Sequence, residues 1–293
     1  MDELINKAKT LSEALPYIRE FYGKTIVIKY GGSINSQELG NFARDVVLMK
    51  YVGMNPVVVH GGGPQIGLYL DRLGLESEFV AGLRATSAEI MEVAQMVLVG
   101  KVGQDIITAI NVLGGSAVGV SGKEGKLISA KKLNIVKFAK DHDIDIPANA
   151  DIGLVGEVDN INPGLVHTLY DSGYIPVIAP IGYDDKGNSY NINADHVAGE
   201  VAGALEAEKF IILTNVPGIL DKKKELISTL HESAVKKLIK QDVISKGMIP
   251  KVICAINALN EGVKKVHIID GTKEHSLLLE IFTDKGIGTE ILI

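Results

Sequence analysis

KTIVIKYGG, residues 24–32, and PVVVHGGGP, residues 56–64, decide the fold. Each is a short β-branched run that ends in glycines, and a stretch of helical period, Gln37–Tyr51, separates them. The interior of the first run, TIVI, is apolar without alternation, as in a strand buried on both faces. Strand, helix and strand at this spacing make a βαβ unit with parallel strands over Lys24–Tyr30 and Pro56–His60. Working outward, further strands are predicted over Ala117–Val120, Ile175–Pro180, Lys209–Thr214 and Lys265–Ile269. Helices are predicted over Ala88–Leu113, Asn193–Leu205 and Pro250–Glu261, and GYDDKGNSY, Gly182–Tyr190, reads as a hairpin. The alternation predicts an α/β three-layer sandwich, a largely parallel central sheet with helices on both faces. The expected division is an N-terminal arm over 1–23, an N-terminal lobe over 24–190, and a C-terminal lobe over 191–293 that starts a new strand–helix series at NINAD.

Composition narrows the function. The 293 residues include 30 Lys and Arg against 36 Asp and Glu, a net charge of −6, which argues against a nucleic-acid platform. With no Trp and few other aromatics, a base-stacking surface is equally unsupported. A 46% apolar content supplies a sizeable core and excludes disorder. The one cysteine, Cys254, allows no intrachain disulfide, and the acidic opening MDELINKAKT lacks the features of a secretory signal. Runs such as TIVI, PVVV and FIIL are far shorter than the ~18 residues of a membrane span. The expectation is a cytoplasmic protein with neither nucleic-acid nor membrane partners.

In the arm, Leu4, Ala8, Leu11, Leu15, Ile18 and Tyr22 form one helical stripe, which Pro16 should kink or break. The stripe packs either on its own domain or on another subunit.

The glycines carry the chemistry because they follow strands directly. Ligands of open parallel sheets bind beyond the carboxyl ends of the strands, where glycine lets several N–H groups approach one anion. Gly31, Gly32, Gly62 and Gly63 are therefore candidates for an anion site. Other phosphate motifs fail: GKT at 23–25 has Ile18 where a P-loop needs glycine, and the glycines of 61–67 do not give G-x-G-x-x-G. The seven histidines form no zinc-binding cluster, so no protein-held metal is expected. Lys29 ends an apolar strand and needs an anion, which is solvent-borne if the side chain snorkels and a phosphate if the glycines hold one. Lys251 lies at a helix start, where the dipole disfavours a cation unless an anion is bound, although a solvated surface lysine reads the same way. Asn193 suits a plain N-cap and Asp195 a first-turn carboxylate, and Asp195 is also placed to hold two lysines. Arg84 is either a surface residue or a bidentate carboxylate ligand.

VIKYGGSI (27–34), VVVHGGGPQI (57–66), AGLRAT (81–86), SYNINADHVA (189–198), ILTNVPGIL (212–220) and GMIPKV (247–252) occur in this order. Together they resemble the acetylglutamate kinase branch of the amino-acid kinase family over nearly the whole chain. The resemblance implies a carbamate kinase-like fold whose N-terminal lobe takes the acylated amino acid and whose C-terminal lobe takes ATP. It implies transfer of the γ-phosphoryl group to the side-chain carboxylate of N-acetyl-L-glutamate, in arginine biosynthesis. It assigns Lys29 and Lys251 to the transferring phosphoryl, Asp195 to orienting both amines, and Gly31, Gly32 and Gly62 to the phosphates. Gly62 and Gly63 hold the reacting end of the substrate, Arg84 and Asn191 its α-carboxylate, and Asn193 lines the centre. Mg²⁺ is expected on the nucleotide phosphates. Other family members acting on glutamate, aspartate or a carrier-linked aminoadipate, and a non-catalytic amino-acid sensor, remain as alternatives.

Ala85 and Ser87 depart from the GLRVTD of many relatives, Asn215 from an aspartate, and Lys246 from a glycine. The segment EHSLLLEIFTDKGIGT, residues 274–289, resembles that of members inhibited by L-arginine, which also carry a kinked N-terminal helix linking dimers into a hexamer. The implied effector residues are Glu280, on the guanidinium, with His275, Gly286 and Gly288 nearby. A nitrogen-signalling regulator protein is a further partner compatible with this resemblance.

Overall fold

The structure, a computed structural model, describes every residue except 32–35, 142, 143, 148, 246, 284 and 285, and for 3, 6, 7, 36 and 141 the backbone alone. An eight-stranded sheet runs in the order Thr229–His231, Thr289–Leu292, Lys265–Asp270, Lys209–Thr214, Thr25–Tyr30, Asn55–His60, Ile175–Ile178, Ala117–Val120. All neighbours are parallel except Thr289–Leu292 against Lys265–Asp270, so the two strands at one edge are reversed. Thr25–Tyr30 lies in the interior, and its side chains divide by alternation. Val27 joins a core with Val197, Val201 and Val252, from the helices Ala194–Ala204 and Met248–Asn260. Ile26 and Ile28 join the opposite core with Val46, Met49 and Ile106, from helices on the other face. This two-sided burial is the physical reason that TIVI shows no polar alternation, and it makes the three layers.

The two glycine-ended strands pair in register, Tyr30 beside His60, so their glycine turns leave the sheet side by side. The sheet has no break at Asn191, since Thr25–Tyr30 pairs directly with Lys209–Thr214. Beside it, Ile128–Lys132, Val155–Ile161, Ile181–Tyr183 and Ser189–Ile192 close into a small barrel, and the antiparallel pair of the last two forms the expected hairpin.

The start of one helix is corrected. The helix expected from Pro250 starts at Met248, and Pro250 sits within the first turn, where its missing N–H costs no helical hydrogen bond. One apolar element does reach membrane-spanning length: Ala88–Val112 is helical over 25 residues, π-helical across Met96–Gly103. It carries Glu89, Glu92, Lys101 and Asp105, and buries Ile90, Val93, Leu98, Ile106 and Ile110 in the core. The arm breaks as Pro16 requires, into Asp2–Glu13 and Leu15–Phe21. Leu4, Leu11, Leu15 and Tyr22 are exposed on this single chain, whereas Phe21 is buried.

Candidate active site

Lys29 is the penultimate residue of its strand and shares the face of Val27, over which Ala194–Ala204 passes. That helix is started by Asn193, whose Oδ1 accepts from the N–H of Asp195 at 2.8 Å and of His196 at 3.4 Å. The cap places Asp195 in the first turn, facing Lys29. Met248–Asn260 lies so close that a Cβ on Gly199 would come within 2.7 Å of the Cys254 sulfur. The same sulfur donates to the backbone oxygen of Asp195 at 2.8 Å, and Lys251 stands three residues before it on the same helix face.

The result is one carboxylate between two amines. Lys29 Nζ is 2.9 Å from Asp195 Oδ1, and Lys251 Nζ donates to Asp195 Oδ2 at 2.6 Å. Burial opposes ionisation of Asp195, but the charges of Lys29 and Lys251 outweigh it and hold the carboxyl at about 2. Burial lowers the Lys29 pKa, with Asp195 acting against that shift and Lys251 with it. Two cations and one anion leave a net positive charge at the carboxyl edge, beside the glycine turns. An incoming phosphate is the natural complement of such a site.

The second glycine turn is equally constrained. Gly62 precedes the helix Gly63–Leu73, and a Cβ there would lie 2.7 Å from Leu98 Cδ2. Arg84 Nη2 donates to the Gly63 carbonyl at 3.0 Å, Nη1 to Ser77 Oγ, and its guanidinium stacks on Phe79. Asn191 donates to Thr86 Oγ1 at 3.3 Å, and that hydroxyl donates to the Arg84 carbonyl. Arg84, Asn191, Gly62 and Gly63 therefore form one connected wall, continuous through Asn193 with Asp195. Gly31 packs beside Leu213 on the neighbouring strand end, while Gly32 and Lys246 lie outside the described residues. Asn193 has its side-chain oxygen committed to the cap, so only its amide nitrogen can face a ligand. Ser87 also caps a helix, accepting from Ile90 N–H at 3.2 Å, which accounts for that departure. Nothing in the structure explains Ala85 or Asn215. Thr86, on Asn191 and the Arg84 carbonyl, and His60, on the Gly61 carbonyl, adjoin this wall and were not singled out from the sequence. Among the described residues no cluster of three or more His, Cys, Asp and Glu side chains is arranged to hold a metal ion.

A separate cavity of about 430 Å³ is lined by Tyr17, Lys209, His267, Glu280, Gly286 and Glu290, among others. Lys209 and Lys265 of its lining are the first residues of their strands, whereas Lys29 is the last but one of its own, so the cavity opens away from the Lys29–Asp195–Lys251 cluster. Glu280 is buried at its base: His267 Nε2 is 3.1 Å and Lys209 Nζ 3.5 Å from Oε1, and the Ile287 N–H donates to Oε2 at 3.1 Å. Gly286 turns here with φ +57, and a side chain would strike that carboxylate. Burial raises the Glu280 pKa against the Ile287 hydrogen bond and Lys209. Burial, then Lys209 and Lys265, push His267 down to about 3. His275 stands apart from this cavity. Its ring bonds Asp45 at 2.6 Å, under the Ser276–Ile281 helix, and does not line the cavity. His267, which the sequence did not single out, lines the cavity instead; its position inside the apolar run KVHIID was the available signal, because a buried imidazole needs a partner.

Paired lysines on one carboxylate, at the carboxyl edge of a parallel sheet and beside glycine turns, define an α/β enzyme class that neutralises and moves an anionic group. Residues 24–270 match the model of the amino acid kinase family, and the chain belongs to that family. It is 53% identical over 298 residues to the acetylglutamate kinase of Aquifex aeolicus, covering 100% of both chains. It is 55% identical over 293 residues to that of Trichlorobacter lovleyi, covering 99% of both. Among solved structures it resembles N-acetylglutamate synthase from Neisseria gonorrhoeae, complexed with coenzyme A and N-acetyl-glutamate, at a TM-score of 0.85 and 25% identity. That match covers 98% of this chain but 63% of the synthase. Carbamate kinase from Giardia lamblia bound to AMP-PNP, at a TM-score of 0.62 and 18% identity over 92% of this chain and 98% of that one, shares the fold.

Proposed function

We propose that this chain transfers the γ-phosphoryl group of ATP to the side-chain carboxylate of N-acetyl-L-glutamate, giving N-acetyl-L-glutamyl 5-phosphate. The observation that carries it is the placement of Lys29 and Lys251 on the two oxygens of Asp195; full-length similarity to acetylglutamate kinases supplies the substrate.

A carboxylate is already an anion at neutral pH, so the reaction needs no general base. An oxygen–phosphorus bond forms to the substrate as the bond from the γ-phosphorus to the β–γ bridging oxygen breaks, and ADP leaves with that electron pair. The difficulty is electrostatic, since two anions must meet. Lys29 and Lys251 offset their repulsion, and Asp195 holds both ammonium groups in place beforehand, which is where preorganised charge is most effective. The Gly62 N–H adds a donor, and Arg84 with Asn191 orients the α-carboxylate. The N-terminal part up to 190 takes the acylated amino acid and the remainder ATP. Mg²⁺ would be held mainly by the nucleotide phosphates.

The second cavity supports inhibition by L-arginine. It offers Glu20, Glu280 and Glu290 for a guanidinium or ammonium group, and Lys209 and Lys265 for a carboxylate. Tyr17, Glu20 and Phe21 come from the second arm helix, so an effector there touches the element whose exposed apolar stripe fits assembly into dimers and a hexamer. The biosynthetic chemistry agrees with a cytoplasmic enzyme.

The test is to incubate the protein with Mg-ATP and, separately, N-acetylglutamate, glutamate, aspartate and carbamate, trapping acyl phosphate with hydroxylamine. Hydroxamate from N-acetylglutamate is expected. Hydroxamate from glutamate alone moves the chain to a neighbouring specificity, and none from any substrate makes it a sensor.

A further inference from the structure

His60 ends its strand with 1% of its surface exposed, and the phosphoryl-transfer mechanism does not use it. Its Nδ1 lies 3.1 Å from the carbonyl oxygen of Gly61. A carbonyl only accepts, so Nδ1 carries the hydrogen and Nε2 the lone pair. The backbone around Gly61 is otherwise fully engaged: its N–H donates to Tyr30 O at 3.0 Å, and the Gly62 carbonyl accepts from Ile66 N–H at 2.9 Å. The Gly62 N–H has no acceptor among the described residues. In a trans peptide the C=O and N–H point in opposite directions, and the chain contains no cis bond. Fixing the Gly61 carbonyl on the imidazole therefore fixes the Gly62 N–H on the side away from the ring.

The ring is itself seated by the π-helical turn Met96–Gly103. A Cβ on Gly103 would lie 3.4 Å from His60 Nε2, and Leu98 and Val102 close the space at Gly62, where a Cβ would come within 2.7 and 3.3 Å of them. His60 Nε2 has no hydrogen-bond partner among the described residues, so the ring is held through Nδ1 and by packing. π-helical turns of this kind mark functional sites more often than chance, because the altered register redirects side chains.

We infer that His60 is a positioning residue, which together with the π-helical turn aims the Gly62 N–H at the anionic reacting end of the acceptor. This deepens the proposed function and rests on it. The neutral Nδ1–H tautomer is required throughout the working pH range; burial, opposed by the Gly61 hydrogen bond, lowers the imidazole pKa to about 4, which keeps it neutral.

The experiment compares His60→Leu, which fills the space without a donor, with His60→Asn, whose side-chain N–H stands near the Nδ1 position. Misdirecting one donor predicts a kcat about 10- to 100-fold lower for His60→Leu. The KM for Mg-ATP should stay within about threefold, and His60→Asn should recover most of the loss. Equal activity in all three proteins, or equal impairment of both variants, overturns the role. Should His60→Leu not fold, ¹⁵N-histidine spectra of the wild-type protein decide, with His60→Asn assigning the signal. The inference predicts protonated Nδ1 and bare Nε2 unchanged from about pH 6 to 8, and a protonated Nε2 contradicts it. Failure of the wild type to make acyl phosphate from N-acetylglutamate would defeat the proposed function while leaving the tautomer readout intact.

Discussion

Replacing Asp195 by Asn keeps the shape of the cluster and removes its only negative charge. The wild-type trio carries a net +1, and the variant leaves +2 on two amines placed 2.9 and 2.6 Å from a neutral amide. Holding the carboxyl at about 2 against its ordinary 3.8 favours its ionised form in the fold by about 2–3 kcal/mol. A depressed carboxylate pKa contributes stability that is complete above about pH 4 and lost as the pH falls toward 2, so the variant lacks it at neutral pH. Two buried ammonium groups left uncompensated bring the expected loss to about 3–5 kcal/mol. Urea unfolding at pH 7 reads this directly. Bound Mg-ATP supplies the missing negative charge, so it should raise stability more in Asp195→Asn than in wild type, and adding Lys251→Met should recover part of the loss without ATP. The kcat of Asp195→Asn, from hydroxamate assays, should fall about 100- to 1000-fold because neither amine is held in place. Wild-type stability in Asp195→Asn, with no extra gain from Mg-ATP, would refute the idea that this carboxylate balances the two lysines.

Three other outcomes follow from the same geometry. Gly199→Ala puts a methyl 2.7 Å from Cys254 Sγ, so the two helices must shift; melting should show about 1–3 kcal/mol of destabilisation and kcat should fall, because Asp195 and Lys251 sit on opposite sides of that contact. Burial, then Glu261, raises Glu200 to about 7 against an ordinary 4.5, so stability falls as the pH rises from about 5 to 8; Glu200→Gln should flatten that slope and gain about 1 kcal/mol at pH 8, discounted for partial exposure. Titrating L-arginine should inhibit wild type and affect Glu280→Gln at least about tenfold less, with basal activity retained, and removal of residues 1–23 should weaken inhibition and assembly together in calorimetry and light scattering; equal sensitivity in Glu280→Gln removes that residue from the effector site.

The central strands were legible because burial on both faces writes itself as unbroken β-branched runs. TIVI and FIIL had no alternative reading, and the positions of Lys29, Gly62 and Asp195 followed from which residue ends a strand or begins a helix. The barrel strands Ile128–Lys132 and Val155–Ile161 escaped because each is half-solvated and carries charge among small residues, leaving neither period strong. Asn193 and Ser87 show a different limit. A capping residue and a ligand-binding residue look identical in sequence, and only the hydrogen bonds from 195, 196 and 90 distinguish them. Pairings across long separations were the least legible: Lys251 meets Asp195 because two helices touch at Gly199 and Cys254, and His267 meets Glu280 because strand and helix fold over one cavity. Local chemistry named the candidates, and packing chose which of them meet.

The most direct measurement is a crystal structure with Mg-ADP, N-acetyl-L-glutamate and a planar metal-fluoride mimic of the migrating phosphoryl group. The amines of residues 29 and 251 are predicted to touch its fluorides, with the carboxylate of residue 195 behind them. A mimic bound elsewhere, with either amine turned to solvent, would contradict the account.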